Sequence, residues 1–350
     1  MRILFDARSV RTQAGLLVLQ GLVRGWTQDA RVGEVVVAVR GDFTWFPIGE
    51  TVRPVVIGKG GWVNHLCREV RQIAKRVRAD IVFSPNGLQP LHPRAVVYFQ
   101  DTHHFRRPTG SMSPYRSTMM WAIRRVWQSC TSPAGRLGIC VSEDLLRLAS
   151  RSLRLPTVMI PNGVELSENR WRGSHPKVFV MGGTGARKSE ETALRAWFRI
   201  PEAIRAGTRM VVGGVEPIER RVRLNKLLNR LGDGQHVSIL GSLIHREYLR
   251  HMTEARLSVS CSRTEAFGLP AAEGLAMGAP VICSDIPAHR ELVDRAHAGE
   301  TFAAGDEHAL AEALDRALRG GLPRQARVFP AGWDWKARAR EHIDAYERFL

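Results

Sequence analysis

The most informative segment of this chain reads SRTEAFGLPAAEGLAMGAPVICSD and runs from Ser262 to Asp285. Two glutamates in it, Glu265 and Glu273, stand eight positions apart with a Phe-Gly-Leu-Pro turn between them. The run AAEGLAMG predicts a helix that opens at Pro270 and ends by Gly278, and Pro-Val-Ile-Cys predicts a buried strand behind it. The first turn of such a helix has N–H groups without intrahelical partners. The segment therefore predicts an anion site with a carboxylate on either side.

A second loop carries the same kind of chemistry. The strand Lys177–Met181 leads into GGTGARKS, which ends at Ser189, and a helix is predicted over 190–200. The loop is not a dinucleotide fingerprint, because Lys188 stands where the third glycine is needed, and not a P-loop, because Arg187 replaces the glycine before the lysine. The Arg-Lys pair suits a diphosphate, since arginine forks onto phosphate oxygens and lysine acts as a point charge. Together the two segments indicate a site for a sugar nucleotide.

The bulk composition is that of a globular protein with two domains. The chain has 350 residues, 44% of them hydrophobic. No apolar run reaches the roughly 18 residues that span a bilayer. The start, Met1–Asp6, has the pattern of a buried strand rather than of a signal peptide, and five scattered cysteines are typical of reduced thiols. We therefore expect a cytoplasmic protein.

The net charge of +17 is concentrated in the first half. Residues 1–170 hold 24 Lys+Arg and 12 Asp+Glu, and the basic residues cluster in 68–78 and 106–125. The basic run 68–78 has no interleaved aromatic residue and no nucleic-acid motif is present, so we expect no nucleic-acid partner. An anionic membrane surface is the functional interpretation we favour, which would place the protein at the inner face of the cell membrane. A general arginine bias explains the charge equally well.

Strand-like and helix-like segments alternate along the chain, which predicts an α/β architecture with parallel sheets. The first series of predicted strands is Ile3–Asp6, Val35–Val39, Val55–Ile57, Ile81–Ser84, Ala95–Phe99 and Gly138–Val141. The second series is Lys177–Met181, Arg209–Val212, His236–Leu240, Leu257–Ser260 and Val281–Cys283. The turn Pro161-Asn-Gly163 and the polar stretch behind it mark a linker between two doubly wound halves.

The pair Glu265-x7-Glu273, its FGLP insert, the small-residue helix and the Gly-x-Pro-Val strand resemble the donor-site motif of retaining glycosyltransferases with the GT-B fold, GT family 4 (glycosyl transferases group 1). The resemblance covers nearly the whole chain. It implies two Rossmann-like, doubly wound domains that face a central cleft. The acceptor-binding domain would be 1–165, the nucleotide-sugar donor domain 166–333, and a C-terminal helix at 334–350 would cross back to the first domain.

The resemblance also assigns roles on the donor side. It implies that Glu265 holds hydroxyls of the donor sugar, Glu273 holds the ribose, and Arg187 with Lys188 neutralises the diphosphate. The remaining implied donor contacts are Gly182, Gly183, Ala266, Phe267, Gly268 and Leu269. The chain carries neither an Asp-x-Asp nor an HExxH motif. We therefore expect no metal and no cofactor beyond the nucleotide sugar as co-substrate.

The acceptor side resembles the family less closely. Relatives often carry a His-Asp pair after the corresponding strand, but here Gln100-Asp101 follows Ala95–Phe99, and the histidines His103 and His104 come later. Asp101 is our first candidate for a catalytic side chain facing the acceptor, and His103 is the alternative. We expect His104 to contact the acceptor as well. We expect the same of Gly15, which lies in the glycine loop after the first strand.

The resemblance implies a metal-independent, retaining glycosyltransferase. The Ala-Arg-Lys loop is similar to that of mannosyltransferases, so we expect a hexose, mannose from GDP-mannose, to move to a glycan or lipid-linked glycan in surface polysaccharide or glycolipid synthesis. Two alternatives stay open: a sugar-nucleotide epimerase of the same fold, and a nucleotide-binding module without chemistry.

Overall fold

The computed structural model describes residues 1–10, 12–41, 51–58, 60–85, 87–106, 114–165, 170–232, 234–326 and 330–349, without the side chains of 114–117. The chain divides into two compact units, Met1–Gly163 with Gly332–Leu350 and Val164–Ala331. The boundaries predicted from the sequence, 165/166 and 333/334, lie close to these.

The first unit is built on a seven-stranded parallel sheet with the order β3-β2-β1-β4-β5-β6-β7. Its strands are β1 (Arg2–Asp6), β2 (Glu34–Arg40), β3 (Val52–Ile57), β4 (Ile81–Ser84), β5 (Ala95–Phe99), β6 (Leu137–Cys140) and β7 (Thr157–Met159). Its helices before residue 164 are α1 (Gln13–Thr27), α2 (Trp62–Asn64), α3 (Val70–Val77), α4 (Pro114–Thr131) and α5 (Glu143–Ser152), with a π-helical turn at His65–Glu69 between α2 and α3. The inner strands β1, β2, β4, β5 and β6 are almost completely buried, as expected for a parallel sheet covered by helices on both faces, whereas the edge strands β3 and β7 are partly exposed.

The second unit holds a six-stranded parallel sheet with the order β10-β9-β8-β11-β12-β13. Its strands are β8 (His175–Met181), β9 (Arg209–Gly213), β10 (Val237–Ile239), β11 (Ala255–Ser260), β12 (Val281–Ser284) and β13 (Glu300–Phe302). Its helices are α6 (Glu190–Arg199), α7 (Glu202–Arg205), α8 (Ile218–Leu231), α9 (His245–Glu254), α10 (Leu269–Ala276), α11 (Pro287–Ala296) and α12 (Glu307–Leu318). Two Rossmann-like parallel sheets confirm the predicted α/β class.

The last helix, α13 (Trp335–Phe349), belongs to the first unit and packs along α1. The contact is close because α1 offers two glycines to it. A Cβ on Gly21 would lie 2.1 Å from the Trp335 ring, and one on Gly25 would lie 2.4 Å from the Ala339 Cβ. Larger residues at either position would push the two helices apart.

Eleven predicted strands are present, with ends that differ by a few residues, and the structure adds β7 and β13. Both additions lie at a sheet edge and have three residues, too few to show a period in the sequence. Of the helices among the described residues, none is both long and apolar enough to cross a bilayer.

Candidate functional site

The site in the second unit follows from the strand order. β8 and β11 are hydrogen-bonded neighbours at the point where the order reverses, with Val180 opposite Val259. Ligands of open α/β sheets bind beyond the carboxyl ends of the strands at this switch point. The glycine-rich loop leaves β8, and the loop that carries Glu265 leaves β11. Adjacent strands therefore bring the two predicted segments together.

The cations of the first loop meet the carboxylate of the second. Lys188 Nζ lies 2.8 Å and Arg187 Nη1 2.5 Å from Glu265 Oε1. Ser262 Oγ donates to the same oxygen at 2.8 Å. A backbone hydrogen bond of 2.7 Å from Arg263 N to Arg187 O joins the two loops. The structure thus brings three of the predicted site residues into direct contact.

The ion pairs decide the protonation of Glu265. Burial alone would raise the pKa of its carboxyl, but the charges of Lys188 and Arg187 outweigh burial and hold the pKa far below its usual value. Lys188 is buried, whereas the side chain of Arg187 is 36% exposed. No described residue donates to Glu265 Oε2, so this oxygen can accept hydrogen bonds from a ligand.

Glu273 lies on α10 and has a partner that the sequence did not suggest. His245 Nε2 is 2.7 Å from Glu273 Oε1. Burial alone would lower the pKa of His245, but the hydrogen bond and charge of Glu273 outweigh it and raise the pKa. One turn further along α9, partly buried Tyr248 donates its O–H to Gly182 O at 3.3 Å. The pKa of Tyr248 is raised well above its usual value, first by burial and then by the carboxylate charges of Glu273, Glu190 and Glu265.

The predicted helix is present as α10, and its start is the place where we predicted an anion site. Gly268 precedes the helix with φ +89°, a conformation that favours glycine. A Cβ there would lie 2.9 Å from Cδ2 of the buried His289. Burial lowers the pKa of His289 to about 4, so this ring is neutral near pH 7. The side chains of Ala266, Phe267 and Leu269 are buried, which leaves their backbone as the group that can face a ligand.

The glycine-rich loop differs from the expectation in one respect. The resemblance implied that Gly183 contacts the donor, but Gly183 N already donates to Glu190 Oε1 at 3.2 Å, and Arg220 Nη1 donates to Gly183 O at 3.0 Å. Arg220 also forms an ion pair with Glu190, which is completely buried. Gly182 is required because a Cβ would lie 2.5 Å from Gly213 O. The amide and the carbonyl of Gly183 are thus held by the protein, and Arg187 and Lys188 remain the candidate phosphate ligands.

The predicted acceptor residues lie in the first unit. Asp101 is exposed and accepts from His103 N at 2.9 Å, and His103 Nε2 lies 3.8 Å from Asp101 Oδ1. Both follow the carboxyl end of β5 and either can serve an acceptor. Gly15 lies in the first turn of α1, where its N–H donates to Thr12 Oγ1 at 3.1 Å. His104 is 5% exposed and packs against Phe99, so its burial does not support the predicted contact with an acceptor.

The residues that sequence reasoning missed are His245, Tyr248, Glu190 and Arg220. None belongs to a motif, and each reaches the site through a fold contact between α6, α8, α9 and α10. Only Glu190 had a signal in the sequence, as an acidic residue in the first turn of the helix predicted over 190–200, where anions are stabilised.

Comparisons with known proteins agree with this geometry. Residues 165–332 match the family model described as "Glycosyl transferases group 1". A phosphatidyl-myo-inositol mannosyltransferase of Mycobacterium leprae is 28% identical over 226 residues, which cover 60% of this chain and 58% of that protein. The chain therefore spans less than two thirds of the curated relative that it matches.

Solved structures match over nearly the full length of the chain. Sucrose-phosphate synthase from Thermosynechococcus elongatus has a TM-score of 0.73 at 18% identity, with 99% of this chain and 94% of that chain covered. Anabaena HepE in complex with UDP and glucose has a TM-score of 0.68 at 16% identity, with 100% and 95% covered. These similarities confirm the predicted GT-B fold and the predicted resemblance to glycosyl transferases group 1.

Proposed function

We propose that this chain is a retaining, metal-independent glycosyltransferase, starting from the match of residues 165–332 to the family model described as "Glycosyl transferases group 1". It transfers a hexose from a nucleotide sugar to a glycan or lipid-linked glycan. The observation that carries the proposal is the contact of Lys188 and Arg187 with Glu265 at the switch point of the second sheet. Mannose from GDP-mannose is our first choice, because the relative from M. leprae is named a mannosyltransferase.

The cations would act on the leaving group. As the bond between sugar and diphosphate breaks, negative charge grows on the phosphate oxygens, and fixed positive charges stabilise that state more than the ground state. The diphosphate competes with Glu265 for Arg187, whose side chain is 36% exposed, and for Lys188. Arg187 and Lys188 thereby supply the positive charge that a metal ion would otherwise provide.

The carboxylates would bind the two sugars of the donor. Glu265 Oε2 and Glu273 Oε2 have no donor among the described residues, while each Oε1 is held by the protein. A carboxylate with one fixed oxygen is pre-oriented for hydroxyl groups, which reduces the ordering cost of binding. Glu265 then holds hydroxyls of the hexose and Glu273 those of the ribose. Retention of configuration and the acceptor-side role of Asp101 or His103 are implied by the family resemblance.

The first unit would bind an anionic membrane surface. From residue 118 onward the exposed positions of α4 are uncharged: Met119, Met120, Ala122, Ile123, Val126, Ser129 and Cys130. We call these residues together with exposed Trp62 and Val63 the apolar face, since Trp62 contacts Trp127 of α4 with ring centroids 5.2 Å apart. Basic residues Arg68, Arg71, Lys75 and Arg76 are exposed on the helix that continues from Trp62.

Exposed apolar side chains beside a row of cations suit the boundary between acyl chains and anionic headgroups. The mannosyltransferase relative is named for a phosphatidylinositol, a lipid acceptor that such a surface would present. Residues 107–113, which belong to the predicted basic segment, lie outside the described part of the chain.

A two-step experiment tests the function. First, thermal shift and calorimetry with GDP-mannose, UDP-glucose and related nucleotide sugars identify the donor, because a ligand at 100 times its Kd stabilises by about 2.7 kcal/mol. Second, release of nucleoside diphosphate is followed with and without phosphatidylinositol or glycan acceptors, in EDTA. Release that depends on an acceptor is expected. Conversion of the donor without an acceptor would indicate an epimerase, and binding without turnover a nucleotide-binding module.

A further inference from the structure

The histidine at the start of α9 stands between the predicted ribose ligand and the solvent. His245 is the first residue of the helix, and its Nε2 lies 2.7 Å from Glu273 Oε1. The His245 side chain is 24% exposed, whereas that of Glu273 is 7% exposed. His245 therefore covers one side of the Glu273 carboxylate, while part of the His245 ring stays exposed to solvent.

The groups around His245 are mostly acidic. Glu273 faces it from α10, and Glu165 acts on it from the segment before β8. On its own helix, Glu247 accepts from Ile244 N at 3.4 Å, and partly buried Tyr248 lies one turn away. Positive charge on His245 is favoured by these neighbours despite the cost of its burial.

Taking the proposed function as given, we propose that His245 is a positioning residue for Glu273 and the group that makes nucleotide-sugar binding pH-dependent. Its Nε2–H fixes one oxygen of Glu273, so the other oxygen faces the ribose in one orientation. As an imidazolium it also offsets the carboxylate charge that would repel the donor diphosphate.

The sign of the pH effect follows from the two protonation states. Neutral His245 can still donate Nε2–H to Glu273, so the hydrogen bond survives deprotonation while the positive charge is lost. Because the pKa of His245 is raised, the favourable state extends above the usual range for histidine and is lost as pH rises through that pKa. Donor affinity is therefore highest in the acid half of the range and falls toward pH 9.

The test is calorimetric binding of GDP-mannose and UDP-glucose from pH 5.5 to 9, since their esterified diphosphates do not change protonation in that range. For the wild type, Kd should rise roughly three- to tenfold between pH 6 and 9, the size expected for one partly screened charge. His245→Gln, which keeps an N–H near the Nε2 position, should bind more weakly at pH 6 and lose the pH dependence. His236→Gln, at an exposed histidine of the same unit, should behave as the wild type.

A pH dependence that survives in His245→Gln, or a wild-type Kd that is flat with pH, would overturn the inference. An NMR titration of the His245 ring provides a readout without ligand: Glu273→Gln should lower its pKa, and an unchanged pKa would also overturn it. If no nucleotide sugar binds at any pH, the proposed function itself fails, which distinguishes the two failures.

Discussion

Lys188 and Glu265 are 77 residues apart in sequence, yet Lys188 Nζ lies 2.8 Å from Glu265 Oε1. The same oxygen also accepts from Ser262 Oγ and forms an ion pair with Arg187. The carboxylate therefore neutralises both cations that we assign to the donor diphosphate. Loss of this carboxylate should therefore change diphosphate binding and sugar transfer in opposite directions.

Glu265→Gln should bind a nucleoside diphosphate more tightly, by roughly three- to tenfold, because an anionic competitor for the cations is gone. It should also lower kcat by about two powers of ten or more, since contacts to the hexose that form in the transition state are weakened. Calorimetry with GDP and UDP and initial-rate kinetics measure the two effects. Weaker diphosphate binding in this variant would show that Glu265 does not compete with the diphosphate for the two cations.

Glu273→Ala should reduce kcat/KM strongly, by about two powers of ten, because the ribose loses a charge-assisted contact and His245 loses its partner. Circular dichroism and Tm should remain close to those of the wild type. Glu312→Ala is the matched control, as this glutamate is exposed on α12. Equal kinetics for the two variants would show that Glu273 does not hold the donor.

Arg220→Ala should destabilise the second unit and slow the enzyme. The change leaves Glu190 buried without its cationic partner and frees the carbonyl of Gly183, and loss of one partner of a buried pair costs about 3–5 kcal/mol. Thermal unfolding measures the stability. Arg223→Ala, an exposed position on the same helix α8, should change Tm little, and similar shifts for both variants would argue against a supporting role of Arg220.

The first unit should lose stability in acid through His342. This ring is completely buried among Trp26, Phe83 and Tyr98, and burial lowers its pKa to about 3. An unfolded chain binds the proton near pH 6.5 and the folded one does not, so the free energy of unfolding falls below that pH by up to ~1.4 kcal/mol per pH unit. His342→Phe should reduce this slope in urea unfolding between pH 4 and 7. An unchanged slope would mean that other groups control acid unfolding.

Val126→Glu should weaken binding to vesicles that contain anionic lipid, because it places a negative charge in the apolar face at its most exposed hydrophobic residue, which is 65% exposed. Co-sedimentation with phosphatidylglycerol vesicles at low and physiological salt measures the effect. Val222→Glu is a control on α8, where the hydrophobic side chain is 48% exposed. Equal losses, or no binding by the wild type, would exclude the apolar face as a lipid surface.

The architecture could be predicted from the sequence because every long buried strand appears in it as a run of apolar residues. Adjacent strands β8 and β11 also explain why Arg187 and Glu265 could be assigned to one site from motifs alone. The partners of these residues could not be predicted in the same way. The contacts of His245 with Glu273 and of Arg220 with Gly183 depend on how helices pack on the sheet, and one sequence contains no period or spacing that reports such packing.

The central claim is that Arg187 and Lys188 bind the diphosphate of an activated sugar. It is tested most directly by the Kd of the donor nucleotide sugar for the double variant Arg187→Ala/Lys188→Ala, with Lys226→Ala, at an exposed lysine of α8, as control. Two lost charge-assisted contacts predict a Kd at least about a hundredfold higher, with an unchanged value for the control. A double variant that binds the donor as tightly as the wild type would contradict the account.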